Sequence, residues 1–357
     1  MNKVGLIVGS GTGRELTDVF SRSLKRIADV LGKPVEVLEC EHEFCSYHHM
    51  LDWTPERIEE AVEDDLERLM NFYSEFYRSG GRAIFKTAIN AETLYRFRTI
   101  GKAIKTFYIP LKQKRLLFVR DEMQGFYAND SCRIDDGEIH FSGSFSRNNF
   151  QLIANYMTGE ADKVLRKPYD VWVIYKHHLF ANLIENWTRE LYADAKVYQP
   201  NHATDILFDY FHTEGGRDLL AIAGNEVADI LHEVLIFNLR LGRRNTLHSK
   251  NVYLHPDLSG LAEYQTVHGS ADGIGGQGIV NPLAALRALA ALVEENWQQA
   301  NFCALMEEAI NRVEQSGILG HDVGGRNSTV EIAEAVVDQI ERLAAHPPGG
   351  ELRSVGT

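Results

Sequence analysis

Two carboxylates in the segment NEVADILHEV, residues 225–234, have a spacing that suits a divalent metal ion. Asp229 and Glu233 are four positions apart, so a helix would place both side chains on one face, about a turn from each other. Like charges at this spacing repel, and Mg²⁺ or Mn²⁺, which prefers oxygen ligands, would convert that repulsion into binding. The same pair is ordinary on a solvent-exposed helix, so the spacing alone leaves both interpretations open.

A glycine-rich segment, HGSADGIGGQGIVNP at residues 268–282, has the composition of a ligand-binding loop. Five glycines accompany His268, Ser270 and Asn281 ahead of a well-formed helical pattern. Backbone without side chains can approach a flat ring or a phosphate, and His268 can stack or form a hydrogen bond. We therefore expect this segment to bind a ligand.

Two other motifs give weaker signals. Residues 9–13 have the spacing GxGxG instead of the GxGxxG of a dinucleotide fingerprint, so a tight turn is favoured there. Residues 40–49, CEHEFCSYHH, contain five potential zinc ligands, but their spacing fits no standard closed zinc site. Buried thiols and surface imidazoles are the favoured interpretation, and a zinc-binding interaction module is an alternative.

Basic residues are concentrated in one segment of an acidic chain. The 357 residues include 37 Lys and Arg against 50 Asp and Glu, and the net charge of −13 disfavours general nucleic-acid binding. Residues 95–120 nevertheless contain eight Lys or Arg and no acid. We interpret this segment either as a solvated face or as a funnel for an anionic small molecule.

The composition predicts a two-domain globular protein in the cytoplasm, without a membrane partner. At about 150 residues per domain the length corresponds to roughly two domains. No apolar run reaches the ~20 residues of a membrane helix. Four cysteines cannot form a disulfide scaffold, and the Gly-rich first residues are typical of a buried strand and a turn, not of a signal peptide.

Hydrophobic periodicity predicts alternating strands and helices, which is typical of an α/β fold with mostly parallel strands. The apolar run at residues 4–8 predicts a buried strand, and residues 15–31 have helical spacing. Residues 132–146 contain a D-D-G turn signal and predict an antiparallel hairpin. The other predicted strands are 35–38, 83–85, 116–119, 171–175, 196–198 and 219–223, and the other predicted helices are 56–78, 150–166, 179–193, 204–212, 226–241, 283–298, 300–315 and 329–344.

The segment HGSADGIGGQGIVNP resembles the adenosine-binding loop of the β-decarboxylating dehydrogenases, the isocitrate, isopropylmalate and homoisocitrate dehydrogenase family. The family places an aspartate 24 residues before that of GDILSD, and Asp205 lies at that distance from Asp229. Several weak motifs in the correct order are more specific than any one of them. VGSGTGRE is similar to the family's PGDGIGPE, VRDEMQGFY (119–127) to VREnTEGlY, YKHH (175–178) to HKaN, NEVADILHEV to NlfGDILSD, and HDVGG (321–325) to DLGG.

The resemblance implies a fold and an assembly. The expected fold is the isopropylmalate dehydrogenase-like two-domain α/β fold, with mostly parallel sheets and a β-hairpin dimer clasp. Residues 1–104 plus 249–357 would form the large, discontinuous cofactor-binding domain. Residues 105–248 would form a small domain with the clasp hairpin near 128–147 and the dimer interface. The implied assembly is a homodimer with shared active sites.

The resemblance also implies the roles of individual residues. Asp205, Asp229 and Glu233 correspond to the ligands of Mg²⁺ or Mn²⁺, with Asp205 reaching across the dimer interface and Glu233 replacing an aspartate. Lys176 and Tyr127 correspond to the catalytic pair, the lysine again coming from the neighbouring subunit, and Asp205 belongs to the catalytic set as well. Arg120 corresponds to one arginine that binds a substrate carboxylate. The implied cofactor-binding residues are His268, Gly269, Ser270, Ala271, Ile274 and Asn281.

Departures from the family pattern concern the substrate. The two other carboxylate-binding arginines would align with Thr99 and Ile109, and Arg98 is the first candidate to replace them, with Lys102 and Lys105 as alternatives. Gln124 and His178 also differ from the residues of the family, and residues 40–95 match it poorly. We therefore expect a non-standard substrate, for example one in which a phosphonate or another group replaces a carboxylate.

The expected reaction is the metal-dependent oxidative decarboxylation of a 3-substituted malate-type 2-hydroxy acid. Gly273-Ile274 stands where NAD-specific members have Asp-Ile and NADP-specific members often have Lys-Tyr. The segment lacks a cation for a 2′-phosphate, so NAD is favoured and NADP is the alternative. Two other functions remain open. One is a regulatory homologue that binds nucleotide or anion without turnover, and the other is a dehydrogenase that does not decarboxylate.

Overall fold

The structure is a computed structural model and describes residues 1–111, 113–125, 131–135, 138–176, 181–213, 215–239 and 244–345. The chain forms two compact units. The first unit contains residues 1–93, 243–249 and the chain from Leu261 onwards, and the second contains residues 94–242 and 250–260. The division predicted from the sequence placed the boundaries near residues 104 and 249.

Strands and helices alternate along much of the chain. The strands are β1 (Asn2–Gly9), β2 (Val35–Phe44), β3 (Ala83–Lys86), β4 (Ala103–Pro110), β5 (Arg115–Asp121), β6 (Ser131–Asp135), β7 (Glu138–Ser142), β8 (Asp170–Ile174), β9 (Lys196–Tyr198), β10 (Leu219–Gly224), β11 (His248–Tyr253) and β12 (Leu261–Thr266). The helices are α1 (Gly13–Val30), α2 (Tyr47–Met50), α3 (Pro55–Arg78), α4 (Ala91–Gly101), α5 (Arg147–Val164), α6 (Ala181–Leu191), α7 (Pro200–His212), α8 (Asn225–Asn238), α9 (Leu283–Asn296), α10 (Phe302–Gln315) and α11 (Thr329–Ala345).

The first unit contains a parallel sheet with the strand order β2-β1-β3-β12. The apolar run of β1 is buried, as expected for a strand that is covered on both faces. Helix α1 buries one stripe of apolar residues at helical spacing, and Phe20 stacks on Phe85 of β3 at 3.9 Å between ring centroids. Residues of α1, α9, α10 and α11 form one hydrophobic core with the sheet.

The second unit has the strand order β11-β4-β5-β10-β8-β9. Strands β5, β10, β8 and β9 are parallel, whereas β4 is antiparallel to β5 and to β11. Two hydrophobic cores are built from alternate residues of the central strands, for example Leu220 in one and Leu219 in the other. The predicted α/β fold with mostly parallel strands is therefore confirmed.

Most predicted elements are present. Four other elements were not predicted because their sequence signals are weak. Helix α4 and strand β4 lie in the basic segment, and β11 and β12 lie before the glycine-rich loop, where we assigned no elements. The predicted hairpin is confirmed as the antiparallel pair β6 and β7, while residues 126–130 and 136–137 lie outside the described residues. Its role as a dimer clasp stays a prediction. None of the described helices is both long and apolar enough to span a membrane.

Candidate active site

The carboxyl ends of three parallel strands meet at one edge of the sheet of the second unit. In the register, Asp121 at the end of β5 pairs with Gly224 of β10, and Ala223 of β10 pairs with Ile174 of β8. The residues that follow or end these strands therefore lie together, as ligand-binding residues do in open α/β sheets. They are Arg120, Asp121, Glu122, Tyr175, Lys176 and Asn225.

Asp121 is the centre of a buried hydrogen-bond network. The hydroxyl of Tyr175 and the amide Nε2 of Gln124 donate to Asp121 Oδ2 at 2.9 and 2.8 Å, and the backbone N–H of Met123 donates to Oδ1 at 2.9 Å. Gln124 Oε1 in turn accepts from the backbone N–H of Ser146 at 2.8 Å. Burial raises the pKa of Asp121 to about 6, although these hydrogen bonds act in the opposite direction. The network fixes the end of β8 and the segment after β5 to each other.

Glu122 is surrounded by three basic side chains. Arg98 Nη1 lies 2.9 Å from Glu122 Oε2, while Arg120 Nε and Lys105 Nζ lie 2.9 and 3.4 Å from Oε1. All four residues are buried. Burial alone would raise the pKa of Glu122, but Arg98, Lys105 and Arg120 outweigh burial and hold that pKa at about 2. Glu122 is therefore a carboxylate at every physiological pH.

Lys105 belongs to the same cluster by strand pairing. Its Cα pairs with that of Arg120 in the antiparallel register of β4 and β5, so the two side chains share one face of the sheet. Burial lowers the pKa of Lys105 to about 7, and the charge of Glu122 acts in the opposite direction. Arg98, which the sequence offered as a substrate ligand, is directed to Glu122 from helix α4.

Arg120 connects this cluster to the predicted metal ligands. Its Nε donates to Asn225 Oδ1 at 2.8 Å, and its Nη1 donates to Asp229 Oδ1 at 2.5 Å. Asn225 begins helix α8, and Asp229 lies one turn further along it. A guanidinium beside a carboxylate that can take a metal is suitably placed to hold an anion next to that metal.

The three predicted metal ligands are accessible to solvent. The side chain of Asp229 is 48% exposed, and Glu233 of α8 and Asp205 of α7 are also exposed. Within the described part of one protomer, the ligand atoms of these three residues do not form a group lying mutually within 4.8 Å. Two carboxylates on one helix fit the oxygen donors that Mg²⁺ prefers, and Asp205 of the same chain does not complete the set.

Among the described residues, one group of three has ligand atoms that all lie within 4.8 Å of one another, and it consists of His42, Asp64 and Asp65. His42 Nε2 lies 2.6 Å from Asp65 Oδ1, Asn90 donates to the other oxygen of Asp65 at 2.9 Å, and Asp64 pairs with Arg68 at 2.8 Å. Each of the three side chains therefore has a hydrogen-bond or ion-pair partner within the protein. The contacts favour a structural role for the Cys- and His-rich segment, as expected from the sequence.

The structure describes one residue of the predicted catalytic pair, Lys176. Lys176 is exposed and follows Tyr175, whose ring is buried between Phe145 and Phe150 with centroid distances of 5.9 and 6.1 Å. Tyr127 and His178 lie outside the described residues.

The predicted cofactor loop packs closely on the first glycine-rich turn of its own unit. The N–H and the hydroxyl of Thr12 both donate to the carbonyl oxygen of Ser270 at 2.9 Å. A Cβ at Gly11, whose φ is +71°, would lie 2.4 Å from that oxygen, and one at Gly275 would lie 2.7 Å from the carbonyl oxygen of Gly11. Glycine is required at both positions because the two backbones touch.

Side chains hold the shape of this loop. Asp272 accepts hydrogen bonds from Ser270 at 2.5 Å and from Ser46 at 2.8 Å. Asn281 donates to both carboxylate oxygens of Asp322 at 3.1 and 3.0 Å and thereby ties the end of the loop to the HDVGG segment. Of the other predicted cofactor residues, Gly269 and Ala271 are exposed, and His268 and Ile274 are partly buried.

Sequence reasoning missed several residues of this site. It assigned no role to Asp121, Glu122, Tyr175 or Asp322, although Asp121 and Tyr175 are next to residues that it selected and Glu122 is two positions after Arg120. Two consecutive acids after an apolar strand are a signal that could have identified Asp121 and Glu122, because charged residues at strand ends often serve a site. Their three basic partners could not be assigned without the packing of α4 and β4.

The fold and the site define a two-unit α/β protein with parallel strands and a candidate site for anions. The isocitrate/isopropylmalate dehydrogenase family model matches residues 247–336, which include the predicted cofactor loop. The 3-isopropylmalate dehydrogenase of Lactococcus lactis is 38% identical over 84 residues, which is 24% of each chain. This chain therefore matches about a quarter of the length of such relatives.

Similarity over the whole chain is weaker but extensive. The isocitrate/homoisocitrate dehydrogenase of Pyrococcus horikoshii is 21% identical over 96% of this chain and 93% of that protein. The isocitrate dehydrogenase structure from Methylococcus capsulatus covers 96% of this chain and 100% of its own, with a TM-score of 0.65 at 18% identity. The β-decarboxylating dehydrogenase from Thermococcus kodakarensis matches with a TM-score of 0.62 at 19% identity, over 97% of this chain and 98% of its own. The chain is therefore similar to members of the isocitrate/isopropylmalate dehydrogenase family over nearly its whole length at about 20% identity, and its fold matches that of the two solved structures.

Proposed function

We propose that this protein catalyses the metal-dependent oxidative decarboxylation of a 3-substituted malate-type 2-hydroxy acid with NAD as hydride acceptor. The observation that supports this most directly is the position of Arg120 between Asn225 and Asp229. It places a buried guanidinium beside a solvent-accessible carboxylate suited to a metal. A substrate carboxylate bound by Arg120 would then lie next to the metal-binding edge of α8.

The proposed roles follow from the chemistry of each side chain. A divalent cation held by Asp229, Glu233 and Asp205 of a partner subunit would supply Lewis acidity at the substrate hydroxyl. Arg120 binds and orients the substrate carboxylate. Lys176 accepts the proton of the hydroxyl, directly or through water, and Tyr127 returns a proton to C3 after loss of CO₂.

The loop at residues 268–282 fits the adenosine part of a nicotinamide cofactor. Its backbone is exposed at Gly269, Gly273 and Gly276, where a Cβ would meet nothing within 4 Å. Although burial acts in the opposite direction, the hydrogen bonds from Ser270 and Ser46 lower the pKa of Asp272. A carboxylate at this point repels a 2′-phosphate and favours NAD, with NADP as the alternative.

A homodimer is supported by exposed apolar side chains on the elements that hold the proposed metal ligands. Ile230 and Phe237 are seven residues apart on α8 and are 66% and 83% exposed. Phe208 on α7 is 47% exposed. Such side chains gain free energy when a second copy covers them. We expect Phe237→Asp to shift the chain to a monomer in analytical ultracentrifugation, and a dimer that persists unchanged would contradict this interface.

A substrate panel tests the proposed reaction. Malate derivatives with different C3 substituents, including phosphonates, are incubated with NAD or NADP and Mg²⁺ or Mn²⁺, and both reduced cofactor and CO₂ are measured. We expect both products from at least one substrate and none after chelation. Reduced cofactor without CO₂ indicates a dehydrogenase that does not decarboxylate. Cofactor or anion binding without turnover indicates the regulatory homologue. The cytoplasmic location stays a prediction.

A further inference from the structure

Glu122 occupies a position at which three basic side chains converge. Arg98, Lys105 and Arg120 come from α4, β4 and β5, and each places a nitrogen within 3.4 Å of its carboxylate. The carboxylate side chain has no exposed surface. Three cations around one carboxylate is the arrangement that proteins commonly use to bind an anionic ligand.

The cluster is continuous with the proposed substrate site. Arg120 contacts Glu122 through Nε and Asp229 through Nη1, so a single guanidinium belongs to both groups. Any substrate carboxylate that binds Arg120 beside Asp229 therefore approaches Glu122. Like charges brought together in a poorly solvated site repel strongly.

We propose that Glu122 is an internal anion that replaces a substrate carboxylate and restricts the substrate to hydroxy acids with two anionic groups. This inference rests on the proposed function. A 2-hydroxy acid with two carboxylates, or with one carboxylate and one phosphonate, binds through Arg120 and the proposed metal ligands of α8. A third anionic group would have to displace Glu122 from Arg98 and Lys105.

The local geometry supports a specific role for the charge of Glu122. Its backbone N–H donates to the carbonyl oxygen of Ala103 at 3.2 Å, which fixes the residue at the end of the β4–β5 pair. Substitution by glutamine preserves the size of the side chain and removes its charge. The three cations would then keep their positions without the negative charge that neutralises them, and they would attract a ligand anion at Arg120 more strongly.

Calorimetric titration of the full-length chain with citrate and malonate, without added metal, tests this inference. Citrate is a tricarboxylate whose tertiary alcohol cannot be oxidised to a ketone, and malonate is a dicarboxylate. We expect Glu122→Gln to bind citrate at least about tenfold more tightly than the wild type, because the cations are no longer neutralised and the third carboxylate of citrate is no longer repelled. The affinity for malonate should change much less. Equal citrate affinity in both proteins would overturn the inference.

Two further variants separate charge from structure. Glu122→Asp retains the charge and should bind citrate like the wild type. Glu190→Gln removes one negative charge from an exposed pair with Arg147, and it should also match the wild type. An equal gain in Glu190→Gln would attribute the effect to net charge and overturn the inference.

Loss of one charge in a buried group of charges is strongly destabilising. If Glu122→Gln does not fold for this reason, the wild type still provides a measurement. We then expect wild-type protein to bind citrate no more tightly than malonate, and citrate binding at least about tenfold tighter would overturn the inference. These titrations do not depend on turnover. Failure of the whole substrate panel would therefore reject the proposed reaction, while the binding data still decide the role of Glu122.

Discussion

The two units use different chemical groups at their predicted ligand sites. In the first unit, the loop at residues 268–282 is shaped by backbone contacts with Gly11 and Thr12 and by short polar side chains. In the second unit, the site is a buried cluster of charges around Glu122. The family model matches residues 247–336, which contain the loop but not the charged cluster.

This difference has a physical explanation. A site made of backbone and glycine depends on where side chains are absent, so its sequence pattern stays recognisable whenever the ligand stays the same. A site made of charges depends on the ligand's own charges, and a new substrate requires new residues. We therefore expect substitutions in the loop to affect cofactor affinity, and substitutions near Glu122 to affect turnover and the choice of substrate.

The largest effect is expected at Lys176. Lys176→Ala should lower kcat by about 10³-fold and leave the KM for the cofactor within about twofold, because a proton-transfer group in the second unit is lost. Steady-state kinetics of both substrates measures this. Lys163→Ala, which removes an exposed lysine paired with Glu160, is the matched control. If Lys176→Ala retained nearly full kcat, this result would contradict the catalytic role of Lys176.

The pH dependence of stability should depend on Asp121. Its pKa is raised from 3.8 to about 6, so the neutral form is favoured in the folded state. The resulting stabilisation is fully present below pH 3.8 and is lost as the pH rises through about 6, by up to about 3 kcal/mol.

Urea unfolding of the wild type and of Asp121→Asn at pH 4 and pH 7 measures this contribution. The free energy of unfolding of the wild type should fall relative to that of the variant as the pH rises. A constant difference between the two proteins would show that Asp121 has the same pKa in the folded and unfolded states.

Gly11→Ala tests the backbone site of the first unit. Its Cβ would lie 2.4 Å from the carbonyl oxygen of Ser270 at a positive φ, so the loop must move. We expect the KM for the cofactor to rise by about tenfold or more, corresponding to about 1–2 kcal/mol of strain and displacement, with a smaller change in kcat. Gly32→Ala has a similar φ of +60° and open space around its Cβ, so it should lower stability without changing the KM. Similar cofactor kinetics in both variants would contradict the role of the close contact.

The smallest effect is expected from Tyr175→Phe, which removes one hydrogen bond to Asp121. We expect kcat to fall several-fold, about 1 kcal/mol, because the end of β8 before Lys176 is held less firmly. The KM for the cofactor should not change. Tyr192→Phe removes a hydrogen bond of 2.8 Å to the carbonyl oxygen of Ala154 and serves as the control. Equal kcat values in the two variants would exclude a specific role of Tyr175 in turnover.

Much of the fold could be predicted because its signals are local. The apolar spacing of Leu16, Phe20 and Leu24 gave helix α1 and its buried face, and the continuous apolar runs gave strands β1 and β10. Strand β4 was missed because its sequence, AIKTFYIP, mixes basic and apolar residues without strict alternation. Its basic residue Lys105 is buried with Nζ 3.4 Å from the carboxylate of Glu122, a contact that the sequence of the strand does not show.

The candidate site could be predicted in part. The motif comparison identified Arg120 and Asp229, which the structure brings into contact, although they are 109 residues apart. It also selected Arg98, which contacts Glu122. No local pattern shows which acid an arginine will meet, because that depends on how a helix packs on a sheet.

By itself, the sequence determined most of the elements in their order, the glycine-rich turns and the candidate reactive side chains, since these follow from residue type and short-range spacing. Only the tertiary structure decided that Arg98, Lys105 and Arg120 converge on Glu122. A helix and two antiparallel strands contribute these groups, and strand register and helix packing set the distances between them. Charged side chains can be buried together only where the fold brings opposite charges into contact. No single segment of the sequence shows such a contact, because the partners come from different segments.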